Sequence, residues 1–303
     1  MNNIVIGIAH HKVGEYYKES PFLPIQVGAY NKQDLGIQKD NEGDNISNQN
    51  PYCSEMSAVY WLWKNSSAKY KGLFHYRRFL NCDNSTFFKR LPALGVFYVT
   101  KVLSLFIKDV NYAYSAFNSS TIDEDDVSSY LNKFGQFIVK DIKNEKVDCY
   151  ALGYIKNSNR KMKSILMESI GLWHYEHACR ILKEQNPEFY LYFEKSLYDG
   201  KFCSCNIIIA KSELYDEYCN IMFSFLVKYH KYMNAGLQEG AVNVAMTRDS
   251  GYIAEIITDA YIRMIKERGL MVKHLGQVTV RTEQSSESQK MTSFLSKVKE
   301  ALR

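Results

Sequence analysis

The sequence predicts an α/β protein in which a mixed central sheet is flanked by helices. Short runs of buried, β-branched residues alternate with segments of helical periodicity along the chain. The composition is also globular, because 46% of the 303 residues are hydrophobic and 23% are charged, with only 5 Pro and 16 Gly. This balance excludes collagen-like, low-complexity and wholly disordered chains. We expect a single domain over residues 1–280, with an inserted segment at 86–120 and a separate tail at 281–303.

The first predicted strand, Ile4–Ala9, is an uninterrupted apolar run that ends at the polar cluster of His10, His11 and Lys12. The run is short and no basic region precedes it, so we expect no signal peptide and no export by that route. In open α/β sheets, ligands bind at the C-terminal ends of the strands. The cluster is therefore a candidate anion site, although these side chains would also be suited to a solvated loop.

Residues 21–51 show little periodicity and are predicted to form a long functional loop. The Asn50-Pro51 pair then starts a helix that carries Glu55 off its main apolar face.

The second predicted strand covers residues 71–80 and contains the adjacent Arg77 and Arg78. Guanidinium groups bind phosphate oxygens through paired hydrogen bonds, so these residues suit a diphosphate. Because consecutive strand residues point to opposite faces, we expect one arginine to reach the ligand and the other to brace acidic groups.

Further along the chain, strands are predicted at 146–152 and 202–210, and helices at 164–182, 213–232 and 251–268. The seven cysteines form no CxxC pair and are expected to be free thiols of a reducing compartment.

Two pairs of residues have the spacing of metal ligands. Asp123 and Asp125 form a D-x-D pattern, but they follow Thr121 at the start of a helical pattern, where the helix dipole favours acids. His174 and His177 lie at i, i+3 without a third ligand, and we expect both to be hydrogen-bonded within the fold. No metal site is assigned.

Two segments are both apolar and basic. Residues 86–108 contain no acid, and the apolar run within them is marginal for a transmembrane helix. At the end of the sequence, a polar linker precedes a basic amphipathic helix in 291–303. Both segments suit an anionic membrane surface. The first would also fit an ordinary core helix or hairpin, and the second a partner or its own domain.

Several ordered motifs carry a family resemblance. They are Ala-His-His-Lys (9–12), Pro-Ile-Gln-Val-Gly-Ala (24–29), Gly-Asp-Asn-Ile-Ser (43–47), Glu55, Tyr-Trp-Leu-Trp-Lys-Asn (60–65) and Gly-Leu-Phe-His-Tyr-Arg-Arg-Phe (72–79). In these motifs the chain resembles the bacterial "HYRR"-signature family of capsular and exopolysaccharide glycosyltransferases. Some members of that family are UDP-sugar-dependent galactofuranosyltransferases. The likeness continues more weakly through Asn206 and residues 248–255, and it departs at Ile256, where members usually have Arg.

The resemblance implies a GT-A-like nucleotide-sugar-binding sandwich, here a variant without a clear D-x-D motif. It implies transfer of a sugar, such as galactofuranose, from a UDP-sugar to a lipid-linked oligosaccharide in capsule, exopolysaccharide or O-antigen biosynthesis. No cofactor is expected beyond the UDP-sugar donor substrate. Positive charge from His11, Lys12, Arg77 and Arg248 would stand in place of a divalent metal.

Glycosyl transfer with inversion needs a carboxylate to deprotonate the acceptor hydroxyl. The catalytic candidates are Asp44, Glu55 and Glu255, and Asp44 is preferred because loops bring acids to substrates. The predicted donor-binding residues are His11, Lys12, Gln26, Asn45, His75, Arg77, Arg78, Asn206 and Arg248.

The expected partners are the UDP-sugar, a lipid-linked glycan acceptor, the inner-membrane surface and other polysaccharide-assembly enzymes. The expected location is cytoplasmic, at the inner face of the plasma membrane. Nucleic acid is not expected, because the net charge is only +5 and no Arg/Lys stripe is interleaved with aromatics. Two other functions remain open from the residues: a non-catalytic sugar-nucleotide-binding or scaffold subunit, and a sugar phosphotransferase.

Overall fold

The computed structural model describes residues 3–83, 91–106, 113–115, 117, 119–144, 146–157, 160–238 and 249–281. Its strands are β1 (Ile4–His10), β2 (Phe22–Gln26), β3 (Gln38–Lys39), β4 (Tyr70–His75), β5 (Arg78–Asn81), β6 (Ala113–Ser115), β7 (Ser120–Ile122), β8 (Cys149–Leu152), β9 (Ile155–Asn157), β10 (Lys201–Phe202), β11 (Ile208–Lys211) and β12 (Val272–Val280). Its helices are α1 (Asn50–Cys53), α2 (Met56–Asn65), α3 (Leu91–Leu103), α4 (Val127–Asn144), α5 (Met162–Gln185), α6 (Pro187–Tyr198), α7 (Ser212–Gln238) and α8 (Asp249–Glu267).

The predicted mixed α/β architecture is confirmed. Strand β1 lies between β2 and β4 and runs parallel to both, and β3 continues the parallel set beyond β2. On the other side of β4 the sheet becomes mixed, because β11 pairs antiparallel with both β4 and β8. Strand β12 runs parallel to β8 and antiparallel to β5. A separate three-stranded antiparallel sheet contains β6, β9 and β10.

The sheet buries both of its faces. On one face, Ala9, Ile25 and Leu73 pack with the large helical cluster of α2, α5, α6, α7 and α8. On the other face, Ile8 and Phe74 pack with α4. This double burial explains why β1 reads as a continuous apolar run rather than an alternating one.

The strand order β3-β2-β1-β4 determines where a ligand-binding site is expected. The chain moves outward from β1 to β2 and β3, then returns to add β4 on the opposite side of β1. The strand order therefore reverses between β1 and β4, and ligands of open α/β sheets bind beyond the C-terminal ends of the strands at such a point.

Three sequence-based predictions of local structure are wrong. Residues 21–51 are not one loop, because they contain β2 and β3. The segment 71–80 is two strands, β4 and β5, joined by a turn at Tyr76 and Arg77. The segment 202–210 is also two strands, separated by residues 203–207. The first error arises because β2 and β3 form only by pairing with a strand from elsewhere in the chain. The other two arise because turns interrupt apolar segments without a glycine or proline to mark them.

Other predictions hold. The helices expected at 164–182 and 213–232 lie within α5 and α7, and the helix expected at 251–268 matches α8 to within one residue at its C-terminal end. Helix α5 is kinked at Gly171. All seven cysteines are free thiols. Acids do occupy the turn that precedes α4, but Thr121 lies in β7 and does not cap that turn.

None of the helices in the described part of the chain has the length and hydrophobicity that crossing a membrane requires. Of the predicted insertion at 86–120, the structure describes α3 with the turn after it, and β6. The tail beyond Arg281 lies outside the described residues.

Candidate functional site

Two groups of polar side chains lie beyond the C-terminal ends of β1 and β4. The first, called here the carboxylate cluster, consists of Glu55, Arg78, Cys205, Asn206 and Glu255. It is assembled from distant parts of the chain: the start of α2, the start of β5, the turn before β11 and the second turn of α8.

Asn206 holds Glu55 in the carboxylate cluster. The Asn206 amide Nδ2 donates to Glu55 Oε1 at 3.0 Å, and Asn206 Oδ1 accepts from Thr258 Oγ1 at 3.0 Å. The Tyr218 hydroxyl lies 2.9 Å from the same Thr258 oxygen. Because Asn206 is buried and each partner is fixed, the position of the Glu55 carboxylate is set by a hydrogen-bond network inside the fold.

Glu255 has an unusual ionisation. Burial, together with the negative charge of Glu55, raises the pKa of Glu255 to about 7, while a hydrogen bond from the Cys205 N–H and the charge of Arg78 oppose this rise. A carboxylate whose pKa lies near neutral pH can both take up and release a proton there, which is what general acid–base catalysis requires.

Arg78 lies on the same side of the sheet edge as these acids. Its Nη1 atom is 3.6 Å from Cys205 Sγ, and its charge acts on both Glu255 and Cys205. Arg78 is exposed, so its guanidinium group is accessible to a ligand as well as to the acids.

The backbone is strained at the carboxylate cluster. Among the described residues, three that are not glycine have positive φ: Ser54 at 51°, Cys205 at 72° and Asn206 at 42°. Ser54 immediately precedes Glu55, and the other two belong to the cluster. Such conformations cost free energy and persist where the surrounding structure imposes them, often at functional sites.

The second group lines a pocket of about 540 Å³, called here the basic pocket. Its polar lining includes His10, His11, Lys12, Tyr76 and Arg77. The Arg77 guanidinium lies over the Tyr76 ring, 4.6 Å from its centroid, and His11 meets the same ring edge-on at 5.0 Å. Lys12 and His11 are exposed, so the positive charge lies at the mouth of the pocket.

Acids also contribute to the basic pocket. Glu124 and Asp125, in the turn before α4, line it together with the basic side chains. Asp123, the other member of the D-x-D pattern, pairs instead with Arg281 at 2.9 Å.

The two histidines at the strand ends are neutral at physiological pH. Burial, together with the adjacent His11, lowers the pKa of His10 to about 4. Burial and the charges of Arg78 and Arg77 lower the pKa of His75 to about 3. Both rings are therefore hydrogen-bonding groups rather than cations.

Arg77 and Arg78 lie on different sides of the sheet edge. Arg77 lines the basic pocket, whereas Arg78 faces the acids of the carboxylate cluster. The two-residue turn at Tyr76 and Arg77, and not alternation along one strand, produces this separation. That one arginine binds a ligand and the other braces acidic groups stays a prediction.

The structure does not bring Asp44 to these groups. Its Oδ1 accepts from the Tyr60 hydroxyl at 3.1 Å, and its main chain bonds with the Asn65 side chain at the C-terminal end of α2. Glu55 precedes the opposite end of this ten-residue helix, so the two acids are separated by roughly 15 Å of helix.

Two predicted donor-binding amides are engaged elsewhere. The Asn45 side chain donates to the carbonyls of Asn41 and Gly43, within its own loop. Gln26 is buried, donates to the Gln33 carbonyl at 2.7 Å and accepts from the Leu35 N–H at 2.9 Å. Arg248 lies outside the described residues.

Sequence reasoning missed Asp40, a fully buried carboxylate next to β3. It accepts hydrogen bonds from the backbone N–H groups of Gly28 and Ala29 and from the hydroxyls of Ser47 and Ser57. Asp40 therefore ties the loop after β2 to α2. The short β3 gave no apolar pattern that would mark its neighbour as buried.

The histidine pair of α5 is hydrogen-bonded, as expected. His174 is buried, with Nδ1 2.6 Å from the Tyr229 hydroxyl and Nε2 3.2 Å from Asp249 Oδ2. His177 Nδ1 lies 2.8 Å from the Trp173 carbonyl. Across the described ranges, no group of three or more His, Cys, Asp or Glu side chains has an arrangement that could hold a metal ion.

Comparisons with known proteins agree with this architecture. The family model described as Domain of unknown function (DUF4422) matches residues 5–267. Among solved structures, the chain is similar to the apo structure of WbbM, a bifunctional glycosyltransferase, with a TM-score of 0.66 and 23% identity over 93% of this chain. The match covers 46% of the WbbM chain, so this chain spans about half its length, and the likeness is one of fold. The comparison with curated proteins finds no match.

Proposed function

We propose that this chain, which belongs to the DUF4422 family, is a glycosyltransferase that moves a sugar from a nucleotide-sugar donor to a glycan acceptor. One observation carries the proposal: the basic pocket and the carboxylate cluster lie at the same edge of the sheet, beside the ends of β1 and β4. Sugar transfer needs both, because the leaving diphosphate must be neutralised and the acceptor hydroxyl must lose a proton. The likeness to WbbM supports the proposal at the level of fold.

The fold is proposed to be GT-A-like. The reversal of strand order between β1 and β4 supports this assignment, since nucleotides bind at such points in open α/β sheets. We also propose that the D-x-D pattern of Asp123 and Asp125 does not bind a metal ion, because Asp123 forms an ion pair with Arg281.

The basic pocket is proposed to bind the donor, a UDP-sugar. Its volume of about 540 Å³ lies within the range of ligand pockets, roughly 300–1,000 Å³. Arg77 and Lys12 supply positive charge for the diphosphate, and the Arg77 guanidinium can bind two of its oxygens at once. The neutral His10 offers a hydrogen bond without adding charge.

Glu255 is proposed to be the catalytic base. It removes the proton of the acceptor hydroxyl as that oxygen attacks the anomeric carbon, and the bond from that carbon to the diphosphate oxygen breaks in the same inverting step. The near-neutral pKa of Glu255 suits proton transfer at physiological pH. Burial, together with the charge of the positioning partner Glu55, keeps that pKa high, and Arg78 stabilises the ionised pair.

The family resemblance supports a more specific role. The donor is proposed to be a UDP-sugar such as UDP-galactofuranose, and the acceptor a lipid-linked oligosaccharide of capsule, exopolysaccharide or O-antigen synthesis. The reaction would then take place at the cytoplasmic face of the plasma membrane, where both substrates meet.

Thermal unfolding with a panel of nucleotides and nucleotide-sugars, with and without EDTA, tests the donor assignment. We expect UDP and UDP-sugars to raise the melting temperature regardless of EDTA. The Arg77→Ala variant should lose this shift, while Arg180→Ala should keep it. Arg180 is a matched control, because its guanidinium also lies over a tyrosine ring, 5.0 Å from the centroid of Tyr232.

Other results would redirect the proposal. Stabilisation that requires a divalent cation would assign a metal-binding role to Glu124 and Asp125 in the basic pocket. A protein that responds to no nucleotide would be a non-catalytic scaffold rather than a transferase. Release of UDP with formation of a new glycosidic bond, measured by mass spectrometry with oligosaccharide acceptors, completes the test.

A further inference from the structure

Helix α3 has an apolar surface that faces solvent. Five large apolar side chains on α3 and the turn after it are 57–81% exposed. They are Tyr98, Val99, Val102, Leu105 and Phe106, called here the outer face of α3. Elsewhere in the described ranges, exposed large apolar side chains are scattered along the chain rather than clustered in one short segment. A contiguous apolar patch on a protein surface marks an interaction site.

The core of the protein does not explain this surface. The opposite side of α3 already provides its packing, through the buried Phe97 and Thr100, and the helix lies against β6. A helix on the surface of a globular protein normally presents polar residues to water. The outer face of α3 departs from this pattern, because its exposed positions also carry large apolar side chains.

Charge indicates what covers the outer face. Lys101 is exposed within α3, and the sequence around the helix adds Lys89, Arg90 and Lys108 without any acid from 84 to 108. Apolar and aromatic side chains bordered by basic residues are the composition of helices that lie in the interface of an anionic bilayer.

The length of α3 excludes a spanning role. Its 13 residues extend roughly 20 Å, which is shorter than the hydrocarbon core of a bilayer, about 30 Å. A short helix with an apolar outer face instead lies parallel to the membrane and inserts its side chains at the boundary between headgroups and acyl chains.

We propose that the outer face of α3 is a membrane anchor that docks on a bilayer surface rich in anionic phospholipids. The aromatic and aliphatic side chains enter the interface, and Lys101 contacts the lipid phosphates. This anchor does not depend on the proposed sugar transfer, because it is defined by α3 alone and neither the basic pocket nor the carboxylate cluster contributes to it.

Sedimentation of the full chain with lipid vesicles tests the anchor. We expect binding to vesicles that contain phosphatidylglycerol, weaker binding to pure phosphatidylcholine, and loss of binding as salt rises. The double variant Leu105→Glu, Phe106→Glu should lower the partition coefficient by at least about tenfold. The matched control is Leu191→Glu, an exposed apolar position on α6, which should bind as the unmodified chain does.

A second measurement reports on α3 directly. In a Tyr98→Trp variant, brominated lipids should quench the fluorescence of the added tryptophan beyond the level seen in the unmodified chain. This readout distinguishes insertion of α3 from binding through residues 291–303.

Three results would overturn the proposal: no binding to anionic vesicles, equal binding by the double variant, or conversion of a dimer to a monomer by that variant in light scattering. The last result would assign the outer face to a second copy of this chain. The thermal shift of the double variant with UDP-sugars separates the two proposals. If this variant loses vesicle binding but keeps the thermal shift, the substitutions have removed the membrane contact and left the donor site intact.

Discussion

Asp40 is fully buried and Glu255 is half-buried, and the fold surrounds these two carboxylates in opposite ways. Asp40 accepts four hydrogen bonds, two from backbone N–H groups and two from serine hydroxyls. Glu255 accepts one backbone hydrogen bond, from Cys205, and faces a second negative charge on Glu55. A buried carboxylate with its hydrogen-bonding capacity filled holds the structure together, whereas one that is only partly satisfied is available for chemistry.

Burial alone does not account for this difference between the two acids. The hydrogen-bond donors around each carboxylate do, because they determine how much of its hydrogen-bonding capacity remains open. Substituting each acid by its amide is therefore the same chemical change with opposite expected consequences.

The largest expected effect is on turnover. Glu255→Gln should lower kcat by about 10³-fold, since an amide cannot take the acceptor proton, and should leave the thermal shift with UDP in place. Asp44→Asn is the control, because Asp44 lies at the far end of α2 and should be dispensable for the proton transfer. Loss of turnover in Asp44→Asn with activity retained in Glu255→Gln would return the base assignment to Asp44.

The next effect is on stability. Asp40→Asn should lower the free energy of unfolding by about 2–4 kcal/mol, because the amide NH₂ group meets hydrogen-bond donors that the carboxylate accepted from. Urea denaturation followed by circular dichroism measures this change. A loss below about 0.5 kcal/mol would mean that the four hydrogen bonds contribute little to the fold.

Glu255→Gln should do the reverse and stabilise the protein at high pH. The pKa of Glu255 is raised to about 7 in the folded chain from its ordinary value of 4.5, so the folded state binds more protons than the unfolded state between those values. Stability therefore falls as pH rises from about 4.5 to 7, and Gln removes this cost. We expect a gain of about 1–2 kcal/mol at pH 8 and little change at pH 4, from denaturation curves at both values. Equal effects at the two pH values would contradict the assigned ionisation.

The smallest effect is a shift in the pH profile. Removing the Glu55 charge in Glu55→Gln should move the acidic limb of kcat to lower pH, and removing the Arg78 charge in Arg78→Ala should move it to higher pH, each by about half a unit to one unit. Arg77→Ala is the matched comparison, because Arg77 lines the basic pocket and should raise the donor KM with little shift of the limb. Shifts in the same direction for Glu55→Gln and Arg78→Ala would show that neither charge acts on the base.

Local pattern was enough to predict several parts of the fold. The apolar run at 4–9 predicted β1, because a strand that is buried on both faces is apolar along its whole length and can be recognised from the sequence alone. Different surroundings for Arg77 and Arg78 were expected from alternation along one strand, but the structure produces them with a turn. Glu55 and Glu255 were candidates through the family resemblance of the motifs that contain them, and their roles stay predictions.

Features made by distant contacts were not predictable in the same way. Strand β2 contains Pro24 and reads as a loop until β1 pairs with it. The role of Asp40 depends on donors from the loop after β2 and from α2, which only the folded chain brings together. The proximity of Glu55 to Glu255 has no signature in the sequence, because 200 residues (255 − 55) separate them.

The small sheet of β6, β9 and β10 joins two parts of the molecule. Strand β6 lies against α3, and β10 leads directly into the turn that carries Cys205 and Asn206. If α3 rests on a bilayer, this sheet sets a fixed height between the lipid surface and the carboxylate cluster. Under the proposed sugar transfer, a glycan too short to span that distance would not be extended.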